Sequence, residues 1–179
     1  MPQRLDKKGL TEEEFLRQYD PDKYPKPSVT ADIVVFRERG GVPEVLLVRR
    51  GGHPFLGRWA FPGGFAERNE RIERTAEREL MEETGVTGAE LALVGVYSAP
   101  GRDPRGWTVS AAFTAVISDE EAHAGDDAAE VRWAPLERDA RSAYRLRPDE
   151  GLTPDGRGCV LAFDHDEILA DAIRRVYGG

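Results

Sequence analysis

Gly64 to Val86 reads GFAERNERIERTAERELMEETGV, and the rest of the chain is organised around it. The pattern predicts a turn feeding a helix whose last two turns are loaded with carboxylates. Glu79, Glu82 and Glu83 stand at i, i+3 and i+4, so a helix places all three on one face. Like charges at that spacing repel and cost helix stability. A hard divalent cation reverses the sign of that cost, because carboxylate oxygens are what Mg²⁺ binds. Gly63 and Gly64 precede the helix, where the backbone can turn tightly and leave the Gly63 carbonyl free to face a metal.

The spacing is that of the Nudix signature: Gly, five residues, Glu, seven residues, then Arg-Glu-aliphatic-x-Glu-Glu-x-Gly-aliphatic. Gly64, Glu70, Arg78, Glu79, Leu80, Glu82, Glu83, Gly85 and Val86 fill it without a substitution. Seven of these positions demand a single residue type. At average usage a chance match at a given start is on the order of one in 10⁸. A surface helix laced with Glu/Arg pairs, such as Glu70 with Arg74, explains the composition but not the register.

The bulk properties agree with one soluble domain. The chain has 179 residues, 40% hydrophobic and 32% charged, with neither repeats nor low-complexity segments. No apolar run approaches a membrane span, and MPQRLDKKGL lacks the apolar core of a signal peptide. The single cysteine, Cys159, excludes an internal disulfide and a Cys-based zinc site, so a cytoplasmic protein is expected. Cys159 itself reads as a small buried residue in an apolar run. A net charge of −8 argues against nonspecific nucleic-acid binding, and no membrane partner is expected.

Along the chain, Thr11 to Tyr19 predicts a short helix with Thr11 and Glu14 in capping-box spacing. Pro21, Pro25 and Pro27 then make an extended connector, so residues 1–27 precede the domain proper at 28–179. Val29–Phe36 and Val45–Val48 read as an antiparallel hairpin, followed by a short strand at Arg58–Phe61. The helix of the opening stretch is expected to start near Asn69 or Glu70, with Asn69 as N-cap. Its inner face is Ile72, Thr75, Ala76 and Leu80, and Gly85 stops it. Strands are expected at Leu91–Tyr97, Thr108–Ile117 and Val131–Trp133, and residues 137–158 as a mobile segment. Asp164 and Glu167 have capping spacing before a last helix whose apolar face is Ile168, Leu169, Ala172, Ile173 and Val176. The sum is an α/β fold, a mixed sheet sandwiched by helices, which is also what the Nudix resemblance implies.

Beyond the signature, the chain resembles Nudix hydrolases of the ADP-ribose pyrophosphatase type. The similarity is carried by YDPDKYPKPSVTADIVVF, HPFLGRWAFPGGF, PGRDPRG, DDAAEVRW and LAFDHDEIL. One departure is Asn69, where such boxes more often have Gly. Similar sequences also form the sensor half of nicotinamide-linked transcription regulators, which carry an added DNA-binding domain and often an eroded box. Here the box is whole and the chain ends after its last helix, leaving no room for a winged helix, so an enzyme is expected.

The resemblance implies Mg²⁺-dependent attack of water on a phosphorus of a nucleoside diphosphate linked to another group. For ADP-ribose the products are AMP and ribose 5-phosphate, and Mn²⁺ is the alternative ion. Glu79, Glu82 and Glu83, with the Gly63 carbonyl, are assigned to metal, and an Arg78–Glu70 ion pair is expected to aim the cluster. The general base stays open among Glu79, Glu82, Asp127 and Glu130, since Asp126, Asp127 and Glu130 also read as a solvated acidic loop. Arg102, Asp103 and Arg105 suit a diphosphate or terminal ribose, or else are turn residues in solvent. His53 either faces the ligand or caps its loop, and Trp107 at a loop edge is a candidate for base stacking. Trp59 and Phe61 read as core. Other Nudix substrates remain an alternative, although the SQPWPFPxS array of NADH-type enzymes is missing. A non-catalytic ADP-ribose sensor is another. The segment before the first strand has little core to bury against, and related pyrophosphatases use it to pair subunits, so a homodimer is expected.

Overall fold

The structure, a computed structural model, describes residues 4–118, 128–138, 143–147 and 161–178. At its centre, β1 (Ser28–Arg39) and β2 (Val42–Arg50) form an antiparallel hairpin with Arg39 facing Val42. Gly40 and Gly41 make the two-residue turn with φ of 59° and 78°, which the right-handed strand twist favours and side chains oppose. The remaining strands are β3 (Trp59–Ala60), β4 (Gly63–Phe65), β5 (Ala92–Tyr97), β6 (Thr108–Val116), β7 (Ala128–Arg138) and β8 (Tyr144–Leu146). They form a mixed sheet in the order β5-β6-β1-β2-β7-β8, with β3 pairing β2 and β4 pairing β1. β1 runs parallel to β6 and antiparallel to β2 and β4.

Because side chains alternate along a strand, β1 feeds two cores. Ile33 and Val35 pack with Leu46, Phe113, Ala76 and Leu80 beneath α2 (Ile72–Thr84). Val34 and Phe36 pack with Leu47, Phe61, Ile168, Leu169 and Ala172 beneath α3 (His165–Tyr177). Burial on both faces explains why the strand reads as a continuous apolar run rather than an alternation. The two helices therefore flank the sheet, as the sequence predicts.

Several boundaries move. The short helix α1 (Glu12–Gln18) carries the expected capping box between Thr11 and Glu14. α2 starts at Ile72 rather than at Asn69 or Glu70, and Asn69 sits in a left-handed turn at φ 68° instead of capping. The Glu70 side chain is engaged elsewhere, and N-cap Arg71 makes no side-chain cap. Gly85 closes the helix at φ 72°, as its position predicts. The strand β4, not read from the sequence, is made largely of glycine, and tertiary pairing with β1 overrides its poor strand propensity. β7 extends well beyond 131–133, and β8 lies inside the 137–158 stretch expected to be mobile; 139–142 and 148–158, with Cys159, lie outside the described residues. Asp164 precedes α3 without a side-chain cap, because its carboxylate is committed to an arginine described below.

Candidate active site

The acidic helix delivers its carboxylates to one organising cation. Thr75 and Arg78, at i and i+3 on α2, both reach Glu70 in the loop before the helix. Arg78 Nε donates to Glu70 Oε1 at 3.0 Å and Nη2 to Oε2 at 3.0 Å, while Thr75 Oγ1 donates to Oε2 at 2.9 Å. These bonds hold Glu70 far below the usual carboxylate range, at about 2, with Arg78 the largest cause. Arg74, the alternative partner, bonds Glu77 instead. Arg78 Nη1 continues to Glu79 Oε1 at 2.7 Å and Glu82 Oε2 at 3.1 Å, and Nη2 to the Phe65 carbonyl at 3.1 Å. A single guanidinium thus ties the loop, the strand β4 and the helix face together.

The corner between β3 and β4 closes on this face. Gly63 N–H donates to Glu83 Oε2 at 2.9 Å, and Pro62 O accepts from Ile33 N–H at 2.9 Å. A Cβ on Gly64 would lie 2.5 Å from the Glu79 carboxylate, so glycine there gives the acid its room. A Cβ on Gly63 would meet Ala31 O at 2.2 Å.

Glu79 and Glu83 open into a cavity of about 760 Å³ whose lining also includes Gly63, Gly64, Phe65, Arg78, Asp32, Arg50, Arg102, Asp103, Arg105, Phe163 and His165. Burial pushes the Glu79 carboxyl above its ordinary value despite the Arg78 contact. Its negative charge is therefore undercompensated, which is the condition a bound cation relieves. Among the described residues no three His, Cys, Asp or Glu side chains converge as a ready-made metal cage. Two carboxylates at a cavity wall nevertheless fit Mg²⁺, which is commonly held by one or two carboxylates while water and substrate phosphates complete its shell.

The opposite wall is basic and aromatic. Arg102 is nearly buried and donates to both oxygens of Asp164, with Asp32 3.6 Å away. Arg105 donates to Asp103 at 2.7 Å and lies over Phe65 at 4.8 Å. Arg50 donates to Pro54 O at 2.7 Å with its guanidinium 4.9 Å from the Phe163 ring. Beneath them, Asp32 accepts from the Ser110 hydroxyl, and Asp32 Oδ1 lies 3.4 Å from His165 Nε2. Burial pushes the Asp32 carboxyl up, and hydrogen bonds from His165 and Ser110 and the charge of Arg102 oppose that rise.

The structure therefore gathers Gly63, Glu79, Glu83, Arg78, Arg102, Asp103 and Arg105 at one cavity. Glu70 stands behind Arg78. Glu82 is half-exposed outside the cavity lining, and Glu130 pairs with Arg49 at 3.5 Å without lining the cavity. His53 and Trp107 are exposed and also outside the lining; Trp107 O accepts the Ser28 N–H. Asp127 lies outside the described residues. Trp59 and Phe61 are core, although Phe61 also reaches the cavity. Asp32, Arg50, Phe163 and His165 line the cavity as well, and the sequence pattern does not single them out. Only Asp32, an acid inside the apolar run TADIVVF, carried a signal that could have been followed.

The comparisons place this geometry in a family. The model for the NUDIX domain matches residues 26–151. The ADP-ribose pyrophosphatase of Methanocaldococcus jannaschii is 35% identical over 151 residues, covering 84% of this chain and 76% of that protein. A crystal structure of a MutT/nudix family protein from Enterococcus faecalis superposes with a TM-score of 0.82 at 39% identity, covering 94% of this chain and 70% of that one. The NUDIX domain of Shewanella oneidensis NrtR, crystallised with ADP ribose, gives 0.76 at 32% identity, covering 93% and 99%. With Gly64, Arg78, Glu79 and Glu83 of the signature at the cavity wall and a domain match over most of its length, the chain belongs to the Nudix family of pyrophosphohydrolases.

Proposed function

We propose that this protein hydrolyses the pyrophosphate bond of ADP-ribose with Mg²⁺, giving AMP and ribose 5-phosphate. The observation that carries the proposal is the two-sided cavity, with Glu79 and Glu83 on one wall and Arg50, Arg102 and Arg105 on the other. A diphosphate needs both: cationic groups to bind its oxygens, and carboxylates to hold the metal. Likeness to an ADP-ribose pyrophosphatase and to an ADP-ribose-bound domain supports this choice of substrate.

A divalent ion, if bound there, would lower the pKa of a water and neutralise phosphate oxygens. Glu79 and Glu83 would hold it, and Arg78, itself anchored by Glu70, sets the rotamer of Glu79. Of the candidate bases Glu79, Glu82, Asp127 and Glu130, Glu79 is the one lining the cavity among the described residues, so the water's proton is assigned to it. Arg105 and Arg50 are placed to bind the diphosphate, each held in a fixed pose by Asp103 or by the Pro54 carbonyl.

Residues 1–27 form a separate N-terminal segment in this reading, and 28–179 the hydrolase domain. α1 buries none of its residues, and Phe15, Leu16, Tyr19 and Tyr24 are exposed, which supports pairing of two copies through this segment. Among the described residues no helix is long and apolar enough to cross a membrane, and we place the protein in the cytoplasm.

The deciding assay is a panel of ADP-ribose, NADH, diadenosine polyphosphates and nucleoside triphosphates with Mg²⁺, scored for phosphate-containing products. ADP-ribose is expected to lead. A preference of roughly tenfold or more for a triphosphate, about 1.4 kcal/mol in transition-state stabilisation, overturns the substrate assignment. The likeness to the NrtR domain favours a second reading, a sensor. Tight ADP-ribose binding with no turnover of any substrate would establish it.

A further inference from the structure

His165 opens α3 and is 2% exposed. Its Nδ1 accepts the backbone N–H of Phe61 at 3.0 Å, and its ring stacks on the Phe61 ring with centroids 4.9 Å apart and planes 10° from parallel. Because Nδ1 accepts, the ring hydrogen resides on Nε2, which faces Asp32 Oδ1 at 3.4 Å. Asp32 is oriented in turn by Ser110 and stands opposite Gly63 in the β1–β4 pairing.

The segment that His165 holds is the corner that shapes the acidic site. Phe61 N–H goes to His165, Pro62 O to Ile33, and Gly63 N–H to Glu83. The next residue, Gly64, has no room for even a methyl group against Glu79. A corner pinned at three successive residues and abutting a carboxylate at the fourth has no slack, so a displacement at Phe61 is passed to Glu79 and Glu83. A histidine serving only to fill space would not need its Nδ1 aimed at a buried amide, which without that acceptor would be left unpaired.

We propose that His165 is a positioning residue for the acidic cluster: as a neutral imidazole oriented by Asp32, it anchors the Phe61 amide and thereby sets the Pro62–Gly64 corner against Glu79 and Glu83. This inference rests on the cavity being the reaction site. It gives α3, far from the signature in sequence, a role in the geometry of the signature.

Two substitutions divide the two functions of the ring. His165→Asn keeps an acceptor near the place of Nδ1 but loses the reach to Asp32, whereas His165→Gln reaches Asp32 but withdraws the acceptor from Phe61. Asn is expected to stay within about threefold of wild-type kcat, and Gln to lose about tenfold or more at little change in KM, as misplacement of reacting groups does. Mn²⁺ affinity of the nucleotide-free protein, measured by calorimetry, should weaken in H165Q and hold in H165N. Nitrogen-15 imidazole spectra of the wild type should show the hydrogen on Nε2. A hydrogen on Nδ1, or equal losses in both variants, overturns the proposal, as does full activity in H165Q. The spectrum decides alone where H165Q does not fold. Failure of the wild type to hydrolyse any pyrophosphate would instead count against the proposed function, since the spectrum and the Mn²⁺ titration do not depend on turnover.

Discussion

Arg102 donates to both carboxylate oxygens of Asp164, at 2.7 and 2.6 Å, across 62 positions of sequence. That pair joins the loop after β5 to the start of α3, and its guanidinium is 4% exposed with Asp32 at 3.6 Å. Read from sequence, Arg102 either binds a diphosphate or terminal ribose, in which case its loss raises KM, or is a turn residue in solvent. In the structure it is first a buried counter-ion for two acids. Arg102→Ala should therefore cost about 3–5 kcal/mol, because both carboxylates are left without their cation. Urea denaturation checks this, and a variant of wild-type stability with a raised KM alone would return Arg102 to the substrate.

Glu79→Gln separates metal binding from folding. Burial raises the Glu79 carboxyl, so its ionised form is a liability to the metal-free fold. The variant should lose activity by orders of magnitude, yet melt at the same temperature as wild type or slightly higher without metal. Mg²⁺ should raise the wild-type melting temperature by mass action and raise that of the variant less. Four thermal melts beside a rate assay suffice. Strong destabilisation without metal, with turnover retained, would make the carboxylate structural.

Glu70 makes an acid-sensitive contribution. Its folded value, about 2, lies below the ordinary 4.5, so its stabilisation is complete above pH 4.5 and disappears as pH falls through 2. Glu70→Gln should be less stable than wild type at neutral pH, and the gap should close between those two values. Denaturant midpoints across that range give the answer; a gap independent of pH would assign the loss to packing.

The two glycines of the corner should respond differently to alanine. In Gly64→Ala the new Cβ meets only the end of the Glu79 side chain, which can swing away. The fold survives while kcat drops by about a hundredfold, the scale of a 1 Å misplacement. In Gly63→Ala the Cβ meets the Ala31 carbonyl, and φ of 157° disfavours a side chain, so stability falls as well. Melting curves for both variants distinguish the cases, and a Gly64→Ala enzyme of full activity would show that Glu79 tolerates displacement.

Light scattering of the full chain and of a form lacking residues 1–26 tests the assembly. A dimer that dissociates on truncation is expected, and a monodisperse monomer at micromolar concentration in both would remove the idea.

The sequence by itself determined what depends on local periodicity. Helical spacing brings Glu79 and Glu83 to one face, Gly40-Gly41 makes a hairpin turn, and Gly85 ends α2, because each depends on neighbours within a turn or two. Its limits appear in the same helix. Periodicity places Glu82 beside Glu79 and Glu83, but of the three only Glu79 and Glu83 line the cavity, while Glu82 stays half-exposed on Arg78. Only the tertiary structure decided the opposite wall. Arg102 finds Asp164, Asp32 finds Ser110 across 78 positions, and the Phe61 amide finds His165 across 104. Such pairs follow no period in the sequence. They form because a charge or amide buried by the two-sided packing of β1 must be matched by whatever group the chain brings to that spot.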